Sequence, residues 1–354
     1  MTIYLINIAL IIFWGFFLTH VNQTNDKKKL YCAIVTLQWT LISGLRALSV
    51  GPDTQAYYRS FENVKTTSWQ VILKNCWDYL FNDLEIKDPG YNLIQKIFQV
   101  FFEDYQMWLI FIALFFTGLM ARWIYKYSSM PDISFILYSV VFYSFYATTG
   151  HRQTIATALV VFVGYELVKK KKWLQLAIVA FIAFMIHKSS IVFVVYYLIA
   201  NISITPLYVM IMMGATVVVG VLGARLYAPI ALALGFDEEG QVLYDGGGAE
   251  TYATILLLLC IASLILYPTI KQMRVDIKYL YNMLFLTMAT TVLVYGNQSF
   301  MRIQQYFSLI TMIFLPEFVK AIDKRYRIFV YLALVAFMVA YLIRNNPSYK
   351  FYFM

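Results

Sequence analysis

Residues 106–126 read QMWLIFIALFFTGLMARWIYK. An α-helix needs about 20 mainly apolar residues to cross a hydrocarbon core, and this run is long enough. Its two charges, Arg122 and Lys126, both sit at the C-terminal end. Comparable apolar runs recur throughout the 354-residue chain, which is 61% hydrophobic and 13% charged. Soluble domains are closer to ~25% charged and ~45–50% apolar. The reading is an all-α, polytopic integral membrane protein, with residues 1–354 forming a single transmembrane domain and no separate soluble domain. The first run, Ile3 to Leu18, has neither a basic leader nor a small-residue cleavage site and reads as a retained helix. Cys32, Cys76 and Cys260 are too scattered for a disulfide framework or a metal knuckle.

Twelve spans are predicted, at 2–19, 30–48, 106–126, 132–149, 151–168, 173–187, 189–200, 206–228, 251–270, 279–296, 303–319 and 328–343. The net charge is +9, but its distribution says more than its size. Lys27–Lys29, Arg122 with Lys126, Lys169–Lys172, Lys271 with Arg274 and Lys278, and Lys320 with Lys324, Arg325 and Arg327 fall in one alternating set of connections. These hold more than half of the 28 basic residues, which assigns that set to the cytoplasm. Both termini then face outward, and 49–105 and 229–250 become external loops. The Asn22 sequon falls on the cytoplasmic side.

Within loop 49–105, Trp69, Ile72, Leu73, Cys76, Trp77, Leu80 and Phe81 mark one face of a helix. Asp88-Pro89 reads as a helix start, with Asp as cap and Pro at the first position. Ile94, Ile97, Phe98 and Phe101 form a second apolar stripe. These amphipathic helices either lie in the outer membrane interface or pack on the tops of the spans. Loop 229–250 carries Gly246-Gly247-Gly248, consistent with a lid or with an ordinary flexible loop.

Several cations fall on the outer side, against the usual bias. Arg46, Arg152, Arg225 and Arg302 each stand at the outer end of a span, and His187-Lys188 lie at another. Each can snorkel to headgroups, or all can converge on one site. Arg152 lies between His151 and Gln153, and Arg302 lies close to Asn297, Gln298, Ser299, Gln304 and Gln305. Such polar company favours a wet pocket. A guanidinium fork suits phosphate oxygens, so the inferred ligand is anionic and phosphate-bearing. In GLRALSVGPDTQAYYRSF, residues 44–61, Gly51-Pro52 turns the chain beyond Arg46. Asp53 then stands either as a rim carboxylate one turn before Tyr57 or as a helix cap, and Arg59 pairs with Glu62.

Together these patches resemble the EpsG-like family of bacterial polysaccharide polymerases, counterparts of the Wzy repeat-unit polymerases. The residues concerned are Arg46, Gly51, Asp53 and Tyr57; Arg152-Gln153; His187 with Ser189; and Arg302, Gln305, Tyr306 and Phe307 ahead of Pro316. The resemblance spans about residues 40–320. It implies a glycosyltransferase type C-like membrane enzyme acting on polyprenyl-diphosphate-linked oligosaccharide repeat units at the outer face of the bacterial plasma membrane. Capsule or exopolysaccharide biosynthesis would be the setting, with polysaccharide export and chain-length proteins as possible partners.

The chemistry assigns roles on that basis. Arg46, Arg152 and Arg302 are candidates for binding the leaving diphosphate. Asp53 or His187 is the candidate base for the acceptor hydroxyl. Tyr57, Gln153, Gln305 and Tyr306 are candidate substrate contacts. Neither a D-x-D pair in the outer loops nor a ligand cluster with metal spacing is present, so no metal or cofactor is expected, nor a nucleic-acid partner. A lipid-linked oligosaccharide flippase, an outer-face glycan ligase and a membrane acyltransferase remain as alternatives. A transporter would be expected to keep its charges near the bilayer midplane and to show related halves.

Overall fold

Backbone inside hydrocarbon must satisfy its own hydrogen bonds, which leaves the helix as the local solution for apolar runs. The computed structural model describes residues 1–21, 24–82, 86–234, 248–345 and 347–354. Among these, every regular element is helical, apart from an isolated antiparallel bridge between Arg46 and Phe351. The Asn22 sequon and most of loop 229–250 lie outside the described residues.

Among the described residues, five helices are long and apolar enough to cross a membrane: Thr2–His20, Tyr105–Tyr127, Pro206–Gly223, Ile277–Tyr295 and Lys324–Asn345. A sixth crossing forms if Glu250–Ile265 and Tyr267–Met273, bent by 72°, count as one broken span. Pro268 explains the break, because it supplies no amide hydrogen and fits only a helix start. The chain is thus a membrane-embedded, all-helical protein, though the twelve expected spans do not appear as twelve unbroken helices. Trp173–Ile186 has 14 residues. At 1.5 Å per residue this is roughly 21 Å, short of a core of about 30 Å. Residues 131–146 and 151–169 are helical but widened by π turns at Tyr138–Phe142 and Ala158–Val163.

The helix Asn25–Gly44 packs along Tyr105–Tyr127. A Cβ on Gly44 would lie 2.9 Å from the Ile110 Cα, so the glycine allows this close approach. Lower down, the Thr40 and Thr117 hydroxyls meet at 3.1 Å, and buried Trp39 donates to Ser139 Oγ at 3.1 Å.

The bundle has two chemically distinct ends. At one, the basic connections are laced together. Arg274 bridges Asp276 at 2.9 Å, Glu317 at 2.7 Å and the Tyr127 carbonyl at 2.7 Å. Lys169 reaches Asp276, Lys126 reaches Glu166, and Lys28 donates to the Ser128 carbonyl, each at 2.8 Å. At the other end both chain ends gather near Arg46. Tyr4 and Tyr349 meet edge to face at 5.6 Å, Tyr349 donates to the Ile42 carbonyl, and the Ala47 amide donates to the Lys350 carbonyl.

Segment 49–105 contains three helices at the Arg46 end: Thr54–Thr66, Trp69–Phe81 and Pro89–Gln99. Ser68 caps the second through a hydrogen bond from the Val71 amide. Its apolar stripe faces outward: Trp69, Leu73, Trp77 and Phe81 are exposed, and Ile72 is buried. In the third helix the polar side turns inward. Gln95 and Gln99 are buried, with Gln99 donating to the Phe61 carbonyl at 2.7 Å, while Ile97 and Phe101 are exposed. Ile94 and Phe98 pack on the core instead. Glu62 pairs with Lys65 at 2.7 Å, not with Arg59; both cations lie three residues away, and an acid N-terminal to its cation is the favoured order on a helix.

Candidate functional site

Asp88 organises the site. The following Pro89 disfavours the right-handed helical region for Asp88, and Asp88 adopts φ 48° and ψ 55°. Left-handed backbone in a residue other than glycine costs energy that the surroundings must supply, and such strain gathers at functional sites. Asp88 begins the helix Pro89–Gln99, but its carboxylate makes no capping hydrogen bond. It turns to the break after Ile186. Oδ1 accepts from the Lys188 amide at 3.0 Å, and Oδ2 contacts His187 Nδ1 at 3.0 Å and Arg152 Nη1 at 2.9 Å. Burial alone would raise the Asp88 carboxyl pKa. The His187 hydrogen bond, the His187 and Arg152 charges and the Lys188 amide outweigh that effect and hold it below the usual carboxylate value. Gly90 makes this docking possible, since a Cβ there would lie 2.7 Å from the Met185 carbonyl.

A second cation sits deeper. Arg46 is 2% exposed and donates through Nη1 to the Ser43 carbonyl. Its Nη2 lies 2.7 Å from His151 Nε2. A guanidinium only donates, so His151 Nε2 accepts and the ring carries its proton on Nδ1, 3.4 Å from the Tyr91 hydroxyl. Trp108 Nε1 donates to that hydroxyl at 3.3 Å. Among the described residues no carboxylate lies within ion-pair distance of Arg46, and its buried Nε has no partner.

Tyr57 joins the two cations. Its ring stacks on His151 at 4.2 Å and 11°, and the Arg152 guanidinium lies 5.8 Å from its centroid. Burial raises the Tyr57 phenol pKa, so the group stays neutral.

The third wall comes from 297–308. Asn297 Oδ1 accepts from the Ser299 amide, bending the chain before the helix Met301–Ser308. Gln153 Nε2 donates to the Arg302 carbonyl, which ties the Arg302 backbone to the helix that carries Arg152. Tyr306 is fully buried, its hydroxyl 3.0 Å from Ser189 Oγ. The Gln305 carbonyl accepts from Tyr146 at 2.8 Å, while its buried Oε1 has no partner.

The structure therefore brings Arg46, Tyr57, Arg152, Gln153, His187 and the Arg302 backbone to one end of the bundle. Gln305 and Tyr306 lie behind that surface as buried side chains. The Arg302 side chain is exposed, and Arg225 is exposed on a separate helix, Pro206–Leu234. Asp53 is exposed at the head of Thr54–Thr66 and makes no side-chain cap bond there, contrary to its capping reading. Asp88 and His151 are the residues that sequence reasoning did not assign to the site. Asp88 carried the signal of an ordinary helix start, and His151 carried only its position beside Arg152. No cluster of three or more metal-ligating side chains occurs among the described residues.

The family model described as EpsG family matches residues 29–353. No curated protein and no solved structure matches the chain.

Proposed function

The chain belongs to the EpsG family, and we propose that it joins polyprenyl-diphosphate-linked oligosaccharide repeat units at the outer face of the bacterial plasma membrane. Family membership and the apolar helices make it a membrane protein of polysaccharide biosynthesis. The finer reading adds a polymerase with the Arg46 end outward, both chain ends on that side, and the shorter or interrupted helices completing twelve crossings. The outward apolar stripe of Trp69–Phe81 would lie in the outer interface.

The observation that carries this reading is Arg46, a buried cation with no carboxylate counter-ion among the described residues. Burying an unpaired charge is costly, so such a group is best explained by an anionic ligand. Arg152 supplies a second guanidinium, and Arg302 at the adjoining wall supplies a third. Together they fit a diphosphate whose charge grows as it departs.

In the reaction the acceptor hydroxyl oxygen forms a bond to the anomeric carbon of the growing glycan. The bond from that carbon to the diphosphate oxygen breaks, and the electron pair leaves with the polyprenyl diphosphate. The acceptor proton passes to His187 Nε2. The Asp88 contact at His187 Nδ1 fixes the ring and leaves Nε2 as the accepting atom. This arrangement favours His187 over Asp53 as base, and Asp53 is assigned to the substrate rim with Tyr57.

Sizing lipid-linked glycans in a deletion strain tests this reading. Single repeat units with no ladder, restored by the wild-type gene, support the polymerase. Long chains retained on lipid indicate a ligase, and single units trapped facing inward indicate a flippase; either would overturn it.

A further inference from the structure

Away from that site, at the basic end, a groove runs between the helices Asn25–Gly44 and Tyr105–Tyr127. Lys29, Arg122 and Lys126 stand over its mouth, and Ala33, Gly118 and Ala121 line its floor. These cations differ in how far they are already satisfied. Lys126 is held by Glu166 at 2.8 Å, whereas Arg122 has only a 3.7 Å contact to the same carboxylate. Lys29 has no carboxylate partner among the described residues. Both Lys29 and Arg122 are exposed.

The floor has its own signature. A Cβ on Gly118 would meet nothing within 4 Å, so this glycine serves neither a close helix contact nor a turn. A glycine inside a helix is less favourable than alanine. Here it leaves an open slot in a helix that is long and apolar enough to cross the membrane. From Lys29 to Thr36 the groove follows its helix for roughly 10 Å at 1.5 Å per residue. Exposed cations above an apolar slot of this length match a phosphate headgroup with a hydrocarbon tail.

We infer that this groove is a binding site for an anionic phospholipid of the leaflet at the basic end. The phosphate oxygens accept from Lys29 Nζ and the Arg122 guanidinium, and one acyl chain lies over Gly118 between Ala33 and Ala121. The lipid anchors the Asn25–Gly44 helix, whose far end leads into Arg46, against Tyr105–Tyr127. Basic clusters at the cytoplasmic ends of spans bind anionic headgroups in this way.

The test loads purified protein into nanodiscs of equimolar phosphatidylglycerol and phosphatidylcholine, then strips it into detergent and counts retained lipid by mass spectrometry. Wild type keeps phosphatidylglycerol in preference to phosphatidylcholine. The double variant Lys29→Gln/Arg122→Gln loses that preference, with affinity down roughly 30-fold at about one basic-residue increment each. Gly118→Leu, which fills the slot without a clash at Cβ, also loses the lipid while its thermal transition stays near wild type. Lys324→Gln/Arg325→Gln removes two exposed charges from the same end outside the groove and retains binding. Equal retention of the two lipids by wild type overturns the site. So does equal loss in the Lys324/Arg325 control, which means diffuse charge attraction, and so does full binding by Gly118→Leu, which means no seated chain.

Discussion

Asp88→Asn keeps the side chain's shape and removes its charge. Oδ1 still accepts the Lys188 amide, now 3.0 Å away. The other position becomes an NH2 facing His187 Nδ1 and Arg152 Nη1, which lie 3.0 and 2.9 Å from Oδ2 in the wild type. Donors then oppose donors, and Arg152 loses its counter-ion. Removing one partner of a fully buried ion pair costs about 3–5 kcal/mol. The Arg152 and His187 side chains are 23% and 19% exposed, so solvent screens part of this. The expected stability loss is therefore nearer 2–3 kcal/mol, roughly. The catalytic loss should be larger. A general base held in the wrong tautomer forfeits about 10²–10⁴ in rate, roughly 3–5 kcal/mol of barrier. The assay is polymer formation from purified lipid-linked repeat units in vesicles, normalised to folded protein. A double-mutant cycle with Arg152→Gln should show non-additivity of about 0.5–3 kcal/mol in stability. An Asp88→Asn variant that polymerises at the wild-type rate would refute the Asp88–His187 reasoning.

Arg46→Met should separate stability from function. Relief of the buried charge is offset by the Ser43 carbonyl and His151 Nε2 left without their donor, at about 1–3 kcal/mol each, so thermal stability should stay near wild type while the glycan ladder disappears. Gly90→Ala pushes a Cβ to 2.7 Å from the Met185 carbonyl. Overpacking of that kind costs about 1–3 kcal/mol, read as a lowered unfolding midpoint, and activity should fall with it as Asp88 shifts from Lys188. The pH dependence follows from the depressed Asp88 carboxyl. A lowered folded-state pKa stabilises the protein above the unfolded carboxylate value of about 3.9, and this contribution disappears as pH falls through the folded value. Acid unfolding scans should show that loss below about pH 4 in wild type, with a shallower slope in Asp88→Asn.

The parts of this fold that were legible in the sequence are those governed by local pattern. The 106–126 run identified a membrane helix by length alone. The spacing from Trp69 to Phe81 identified an amphipathic helix, and the alternation of basic connections separated the two ends that the structure shows laced apart. Shared depth and polar company point to convergence of Arg46, Arg152, Arg225, Arg302 and His187; the structure gathers Arg46, Arg152 and His187 at one end, while Arg225 stands on a separate helix and the Arg302 side chain is exposed. Asp88 was not legible in this way. Asp-Pro at a helix start is the ordinary reading, and its real partners, His187 and Lys188, lie about a hundred residues away. The contact of His151 with Arg46 spans a similar separation. Gln95 and Gln99 turn inward against the polar-outward rule, and Gln99 there donates to the Phe61 carbonyl. The π turns carry no residue signature; they widen the helices 131–146 and 151–169 without breaking them.

The account depends on guanidinium groups from distant parts of the chain jointly holding a diphosphate. The most direct measurement is calorimetric titration of the purified protein with a short-chain polyprenyl diphosphate and with the matching monophosphate, in wild type, Arg46→Gln and Arg152→Gln. The account predicts saturable binding, a clear preference for the diphosphate, and about tenfold or greater weakening in each variant, the loss of one charge-assisted contact. Equal affinity for mono- and diphosphate, or undiminished binding in both variants, would contradict it.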